Sequence, residues 1–167
     1  MADLWDRTDM SGILNVMLGD NAAAGGGGGG YQGPLDLQPS GAYVWVGLRA
    51  GSAAARGSAA VRITRSSDSY TAQFDISTDA TTGRLDTSNA TIFNGSTYHV
   101  VTLYDQTGNG RHFTMVTDGS RPLLVLGVIG TAADPVVRFV PPADFMTEAG
   151  TASTIAQPWW LSTVIKS

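Results

Sequence analysis

The sequence predicts an all-β fold, a β-sandwich of short strands joined by many turns. Three observations carry this. The acidic residues are thirteen Asp and a single Glu, Glu148, and the basic residues are nine Arg and a single Lys, Lys166. The charged set therefore lacks good helix formers and is rich in Asp, which favours caps and turns. Thr occurs 18 times, Ser 14 and Gly 21, a poor stock for helices. Runs of β-branched and aromatic residues also alternate with turn clusters at a spacing of roughly ten residues, as in a sandwich. With 167 residues, 43% of them hydrophobic, the chain can bury the core of one ordinary domain and carry a short extension.

Residues 1–18 read as an N-terminal arm. Leu4, Trp5, Ile13, Leu14, Met17 and Leu18 give it a large apolar load, and Ser11 could cap a short helix ending at Leu18. Such an arm either packs on its own domain or docks into another subunit. The flexible stretch beside it favours docking, because the apolar side chains need cover. Residues 19–34 are a Gly-rich linker around the unbroken run Gly25–Gly30. The run contains GxGxxG only by repetition, with no strand before it and no helix after it, so it does not form a dinucleotide site. Glycine loses the most backbone entropy on ordering, so a rigid run would imply contact with neighbouring chains.

Residues 35–167 form the domain. Ala42–Arg49 reads equally as a short helix or an apolar strand. Ala55–Gly57 is a small-residue loop. Val61–Arg65 alternates with period two, as a half-buried strand does. Ser66–Asp68 is a turn, and Thr71–Ile76 is a strand with Phe74 and Ile76 on one face. Asp79–Gly83 is a loop. Tyr98–Tyr104 is the best strand, being rich in β-branched and aromatic residues, and Asp105–Gly110 is a sharp turn after it. His112–Val116, Pro122–Val125, Val136–Val140 and Trp159–Ile165 supply four further strands.

Composition narrows the chemistry. There is no cysteine, so disulfides and thiolate metal sites are excluded. His99 and His112 alone cannot build a zinc-type cluster. Apolar runs such as Leu123–Ile129 fall far short of the ~18 residues of a membrane span, so no membrane insertion is expected, and no secretory signal is expected at the N-terminus. A net charge of −4 argues against nucleic acid as a partner.

Four segments in order carry a family likeness: AYVWVGLR at Ala42–Arg49, AVRITRSSD at Ala60–Asp68, GRLDT at Gly83–Thr87 and VVTLYDQTGNGRHF at Val100–Phe113. Together they resemble the laminin-G-like, concanavalin A-like domain of the α-L-arabinofuranosidase B catalytic domains. Tyr104, Asp105, Gln106, Thr107, Gly108, Asn109 and Gly110 match the YDQSGNG-type turn of that family, with Thr in place of Ser. Arg121-Pro122 and Val136–Phe139 fit the spacing that follows it. The resemblance implies a laminin-G-like sandwich. It also implies kinship with domains of bacteriophage tail and fibre proteins that hydrolyse nothing. The enzymes carry their nucleophile and general acid later in the domain, so no catalytic residue transfers. The sequence ends where further strands would be expected, so the sandwich is either incomplete at its C-terminus, reduced, or completed by other copies, which open sheet edges would favour.

Glycoside hydrolysis needs two carboxyls about 5–10 Å apart, one with a raised pKa. Asp105, Asp118, Asp134, Asp144 and Glu148 are candidates only in being acidic, and each reads more simply as a turn or loop residue. There is no G-x-S-x-G elbow for a Ser–His hydrolase. Asp105–Gly110 resembles the start of a calcium loop, but Val116 stands where the closing Glu would be, so calcium is the lesser reading and no metal site or cofactor is expected. The stronger reading is a fold-specifying turn made of Tyr104, Asp105, Gln106, Gly108, Asn109 and Gly110. In it Asp105 and Asn109 bond backbone N–H groups, Gly108 and Gly110 supply positive φ, Arg111 pairs with Asp105, and the Tyr104 hydroxyl bonds across a loop. Trp159 and Trp160 face opposite sides of their strand. One would be core, and the other would lie exposed, be covered by a partner or stack on a sugar ring. Asn89 and Asn94 begin glycosylation sequons, which matter only in a eukaryotic secretory host. His99 reads as a satisfied or edge histidine.

These expectations combine into a non-enzymatic bacteriophage virion protein, a tail fibre, spike or decoration protein. Its arm would bind other virion proteins, and its sandwich would face outward for attachment to host-surface glycan. A homo-oligomer is expected, a trimer by analogy with fibres. A carbohydrate-binding module of a longer polysaccharide-processing protein is the alternative, and an arabinofuranosidase a more distant one.

Overall fold

The computed structural model describes residues 30–37, 42–129, 134–140 and 143–149. The arm residues Leu4, Trp5, Ile13, Leu14, Met17 and Leu18, most of the glycine run and the expected strand Trp159–Ile165 lie outside them. The described chain is all-β. Its strands are β1 (Ala59–Arg65), β2 (Gln73–Ser77), β3 (Tyr98–Leu103), β4 (His112–Thr114), β5 (Leu123–Ile129), β6 (Asp134–Arg138) and β7 (Thr147–Ala149). Short 3-10 turns supply the helical geometry among these residues, at Pro34–Leu37, Ser66–Asp68 and Asp118–Ser120.

The seven strands form one antiparallel sheet in the order β2-β1-β3-β4-β7, with β5 also paired to β3 and β6 paired to β5. β3 is the axis of the sheet. One edge of it carries β1 along its whole length. The other edge is divided: Thr102 and Leu103 pair with β4, and Tyr98 and His99 pair with β5. Between these, the Met115 N–H donates to the Val101 carbonyl and the Val100 N–H to the Pro122 carbonyl. β4 and β5 therefore follow a single line along β3, and Val116–Arg121 is looped out of it. Arg121 closes this detour. It is buried, donates to the carbonyls of Met115 (3.0 Å) and Val116 (2.8 Å), and pairs with Asp118.

Register separates the two faces of the sheet. Ile76, Val61, Leu103 and Phe113 stand in one row across β2, β1, β3 and β4. Asp75, Arg62, Thr102, Thr114 and Thr147 form the neighbouring row, on the opposite face, reaching β7. The apolar face is the core. Val61, Ile63, Ile76, Tyr98, Val100 and Leu124 cluster there, with Leu48, Leu85, Ile92 and Phe93 packed on them from the segments between strands. Phe74 and Ile76 both reach this core, as their spacing predicts. β7 has no counterpart in the sequence expectation: at three residues it has no pattern to read.

Ala42–Arg49 is neither helix nor strand. It runs as bends touched by isolated bridges, Val46 to Asp105 and Arg49 to Arg84. Side chains of the turn after β3 bond its backbone, so no ladder is needed. Close packing fixes the 30–37 segment beside it. A Cβ on Gly33 would lie 2.2 Å from the Gly51 carbonyl oxygen, and the Leu35 N–H donates to that same oxygen at 2.7 Å. Only glycine allows this approach.

Candidate functional site: the Tyr104–Gly110 corner and the polar face beside it

β3 hands the chain directly into the corner, and the corner's polar side chains reach back to residues 42–51. Asp105 Oδ1 accepts the N–H of Trp45 (3.1 Å) and of Thr107 (3.0 Å). Its Oδ2 accepts the N–H of Arg111 (3.2 Å), and the Thr107 hydroxyl lies 2.8 Å from both oxygens. Burial pushes this carboxyl's pKa up, but the hydrogen bonds from Thr107, Trp45 and Arg111 outweigh it and leave the pKa below the usual range. The Gln106 amide donates to the carbonyls of Gly47 and Arg49, both at 3.0 Å, and accepts the Gly51 N–H at 2.6 Å. The Asn109 amide donates to the carbonyls of Ala42 (3.1 Å) and Tyr43 (3.0 Å). Gly108 and Gly110 have φ of 86° and 72°, a left-handed conformation that side chains resist.

Three details differ from the sequence expectation. The Asn109 side chain donates to carbonyls of the 42–51 segment rather than bonding N–H groups within the turn. Arg111 gives Asp105 its backbone N–H, while its guanidinium pairs with Glu148 of β7 at 2.6 Å and lies 3.9 Å from the centre of the Tyr43 ring. The Tyr104 hydroxyl bonds to a strand rather than across a loop: it donates to Asp75 Oδ1 on β2 at 2.7 Å. Both partners are distant in sequence and come close only through the sheet register.

Asp75 is the hub of a half-exposed polar cluster. Arg62 grips it with two hydrogen bonds, of 2.7 and 2.8 Å, and stands 5.7 Å from the centre of the Tyr104 ring. The Arg62 bonds hold the Asp75 carboxyl below its ordinary range, against burial and with help from Tyr104. Burial, and then the hydrogen bond to Asp75, push the Tyr104 phenol up to about 12. The His112 ring meets Tyr104 edge-on at 5.1 Å, and its Nδ1 accepts the Asp105 N–H at 3.0 Å. The neutral ring therefore carries its proton on Nε2. Sequence reasoning placed Arg62, Asp75 and His112 on strands and gave them no role. Period-two alternation puts Arg62 and Asp75 on the polar face, but nothing in the sequence gives the register that joins them.

The other carboxyls singled out as acidic are also engaged. Asp118 pairs with Arg121, Asp134 with both Arg49 and Arg84, and Glu148 with Arg111, while Asp144 accepts the Val140 N–H at 2.8 Å. Among the described residues no three His, Cys, Asp or Glu side chains gather as a metal site would require. His99 packs on Tyr70, with ring centres 4.7 Å apart, and burial, followed by the nearby Arg121, lowers its pKa. Trp159 and Trp160 lie outside the described residues. A shallow groove opens where the detour meets the run into β7, lined by Thr114, Met115, Val116, Thr117, Phe145 and Thr147. Comparison with family models, curated proteins and solved structures gives no match for this chain.

Proposed function

We propose that this chain is a non-enzymatic structural protein of a bacteriophage virion, a tail fibre, spike or decoration protein that serves attachment. In this reading the all-β domain is a laminin-G-like, concanavalin A-like sandwich facing outward from the particle. Residues 1–18 anchor it to other virion proteins, residues 19–34 span the gap, and copies assemble as a homo-oligomer, with a trimer as the first choice. Host-surface glycan is the ligand class.

One observation supports the non-enzymatic part. The motif that carries the family resemblance uses Asp105, Gln106 and Asn109 to bond residues 42–51. Among the other acids singled out above, Asp118, Asp134 and Glu148 are likewise committed, each in ion pairs with arginine. A chromogenic arabinoside should therefore give no turnover. The anchoring part is tested by deleting residues 1–18 and measuring incorporation into particles. Incorporation should be lost, and normal incorporation would refute the anchor.

A carbohydrate-binding module of a longer polysaccharide-processing protein is the second reading. The half-exposed Arg62–Asp75–Tyr104–His112 cluster favours it, since charged and aromatic groups on a rigid sheet suit a sugar. Calorimetry with arabinan and xylan separates the two readings: saturable heat with plant polysaccharide supports the module.

A further inference from the structure

Away from the Tyr104 corner, the backbone sets two arginines side by side. Arg49 and Arg84 are partners in an isolated antiparallel bridge, and next to it the Ala50 N–H donates to the Gly83 carbonyl at 2.7 Å. Like charges directly opposite each other repel. Among the described residues a single carboxylate, Asp134 at the start of β6, sits against both. Arg49 Nη2 lies 3.3 Å from one oxygen and Arg84 Nη1 lies 3.3 Å from the other. Asp134 thus makes one long contact to each guanidinium and forks with neither. Arg49 Nε is buried and has no hydrogen-bond partner. Each guanidinium carries about five N–H donors, and among the described residues Asp134 is the carboxylate they share. Among the described residues, the two positive charges meet half the negative charge that would balance them. The side chains of Arg49, Arg84 and Asp134 keep 30, 31 and 22% exposure, so a solute can reach them.

We propose that Arg49 and Arg84 form an anion site that takes the carboxylate of an acidic sugar, a uronic acid. The Asp134 contact shows which shape the pair accepts: a planar anion with two oxygens, one for each guanidinium. A ligand carboxylate supplies a second negative charge and can meet the half-exposed Arg84 guanidinium as a two-bond fork, the strongest form of this pairing. The sugar part of the assignment rests on the glycan-attachment reading, whereas the carboxylate part rests on the two arginines alone.

The test is NMR on the full chain, following the arginine Nε–H signals during titration with glucuronate, glucose and inorganic phosphate. Glucuronate should shift the Arg49 and Arg84 signals saturably, and glucose should not. R84Q and R84K, each checked for an intact amide spectrum, should weaken glucuronate binding about tenfold, the loss of one forked charge-assisted contact. D134N removes the internal competitor and should tighten binding by about threefold or more. The proposal is overturned if glucuronate gives no saturable shift, if R84Q binds as well as the unmodified chain, or if phosphate binds as tightly as glucuronate. Neutral-glycan binding that survives R84Q, with no response to glucuronate, would end this inference and leave the attachment reading standing. Binding of glucuronate by a chain that enters no particle would do the reverse.

Discussion

Asp105 carries the most connected carboxylate of the described chain's corner, taking backbone N–H groups from Trp45, Thr107 and Arg111. In D105A these donors lose their acceptor in a half-buried place. Orphaned groups of this kind cost about 1–3 kcal/mol each. With partial rescue by water, urea unfolding should report a loss of about 2–4 kcal/mol, against roughly half of that for D105N, which keeps one oxygen. The pH response follows from the same bonds. Folded Asp105 and Asp75 hold their carboxyl pKa values below the ordinary range, so acid protonates the unfolded chain first. Their contribution is complete above about pH 4 and is lost as pH falls through the folded values. D105N should flatten that acid limb, and an unchanged limb would mean that Asp105 contributes nothing through its charge. The residues of this turn were legible in the sequence because the signal is local: Asp, Asn and two glycines within one short run. Their partners were not legible, since Trp45, Gly47 and Gly51 are brought in by the tertiary fold.

Individual strands followed from sequence wherever alternation or β-branching was strong. β1, β2 and β3 stand within two residues of their expected limits, because their side chains divide cleanly between core and polar row. Ala42–Arg49 could not be assigned, because its apolar run is satisfied by side-chain donors from elsewhere rather than by its own periodicity. Two element-level tests follow. Arg121→Met removes the donors that hold the Met115 and Val116 carbonyls. It should cost about 1–3 kcal/mol and speed hydrogen exchange at the Met115 amide, while the β1–β2 amides stay protected. Gly33→Ala drives a Cβ into the Gly51 carbonyl, a backbone atom that cannot swing aside. It should release the 30–37 segment, read as faster proteolysis near Tyr31 with the sheet's circular dichroism retained.

At the scale of the described molecule, one face of the sheet carries the apolar cluster and the other the row from Asp75 to Thr147. Ile63 lies fully buried at the centre of the apolar cluster. Ile63→Ala should cost about 2–5 kcal/mol, and exchange protection in β1, β2 and β3 should fall together. The all-β character of the chain was written in its Asp-, Thr- and Gly-rich composition. The pairing order was not, since β4 and β5 share one edge of β3 in a way no local pattern announces. The Arg49–Arg84 pair was hidden for the same reason: both residues sit in segments that look unremarkable alone and become neighbours across the fold. The detour between Met115 and Pro122 has a consequence of its own. Both its ends are zipped to β3, and the 3-10 turn Asp118–Ser120 inside it is stapled by Arg121, which pairs with Asp118 and holds the Met115 and Val116 carbonyls. A peptide spliced in at Gly119 would part Asp118 from Arg121, so the stretch carries its own lock and any lengthening there must rebuild it.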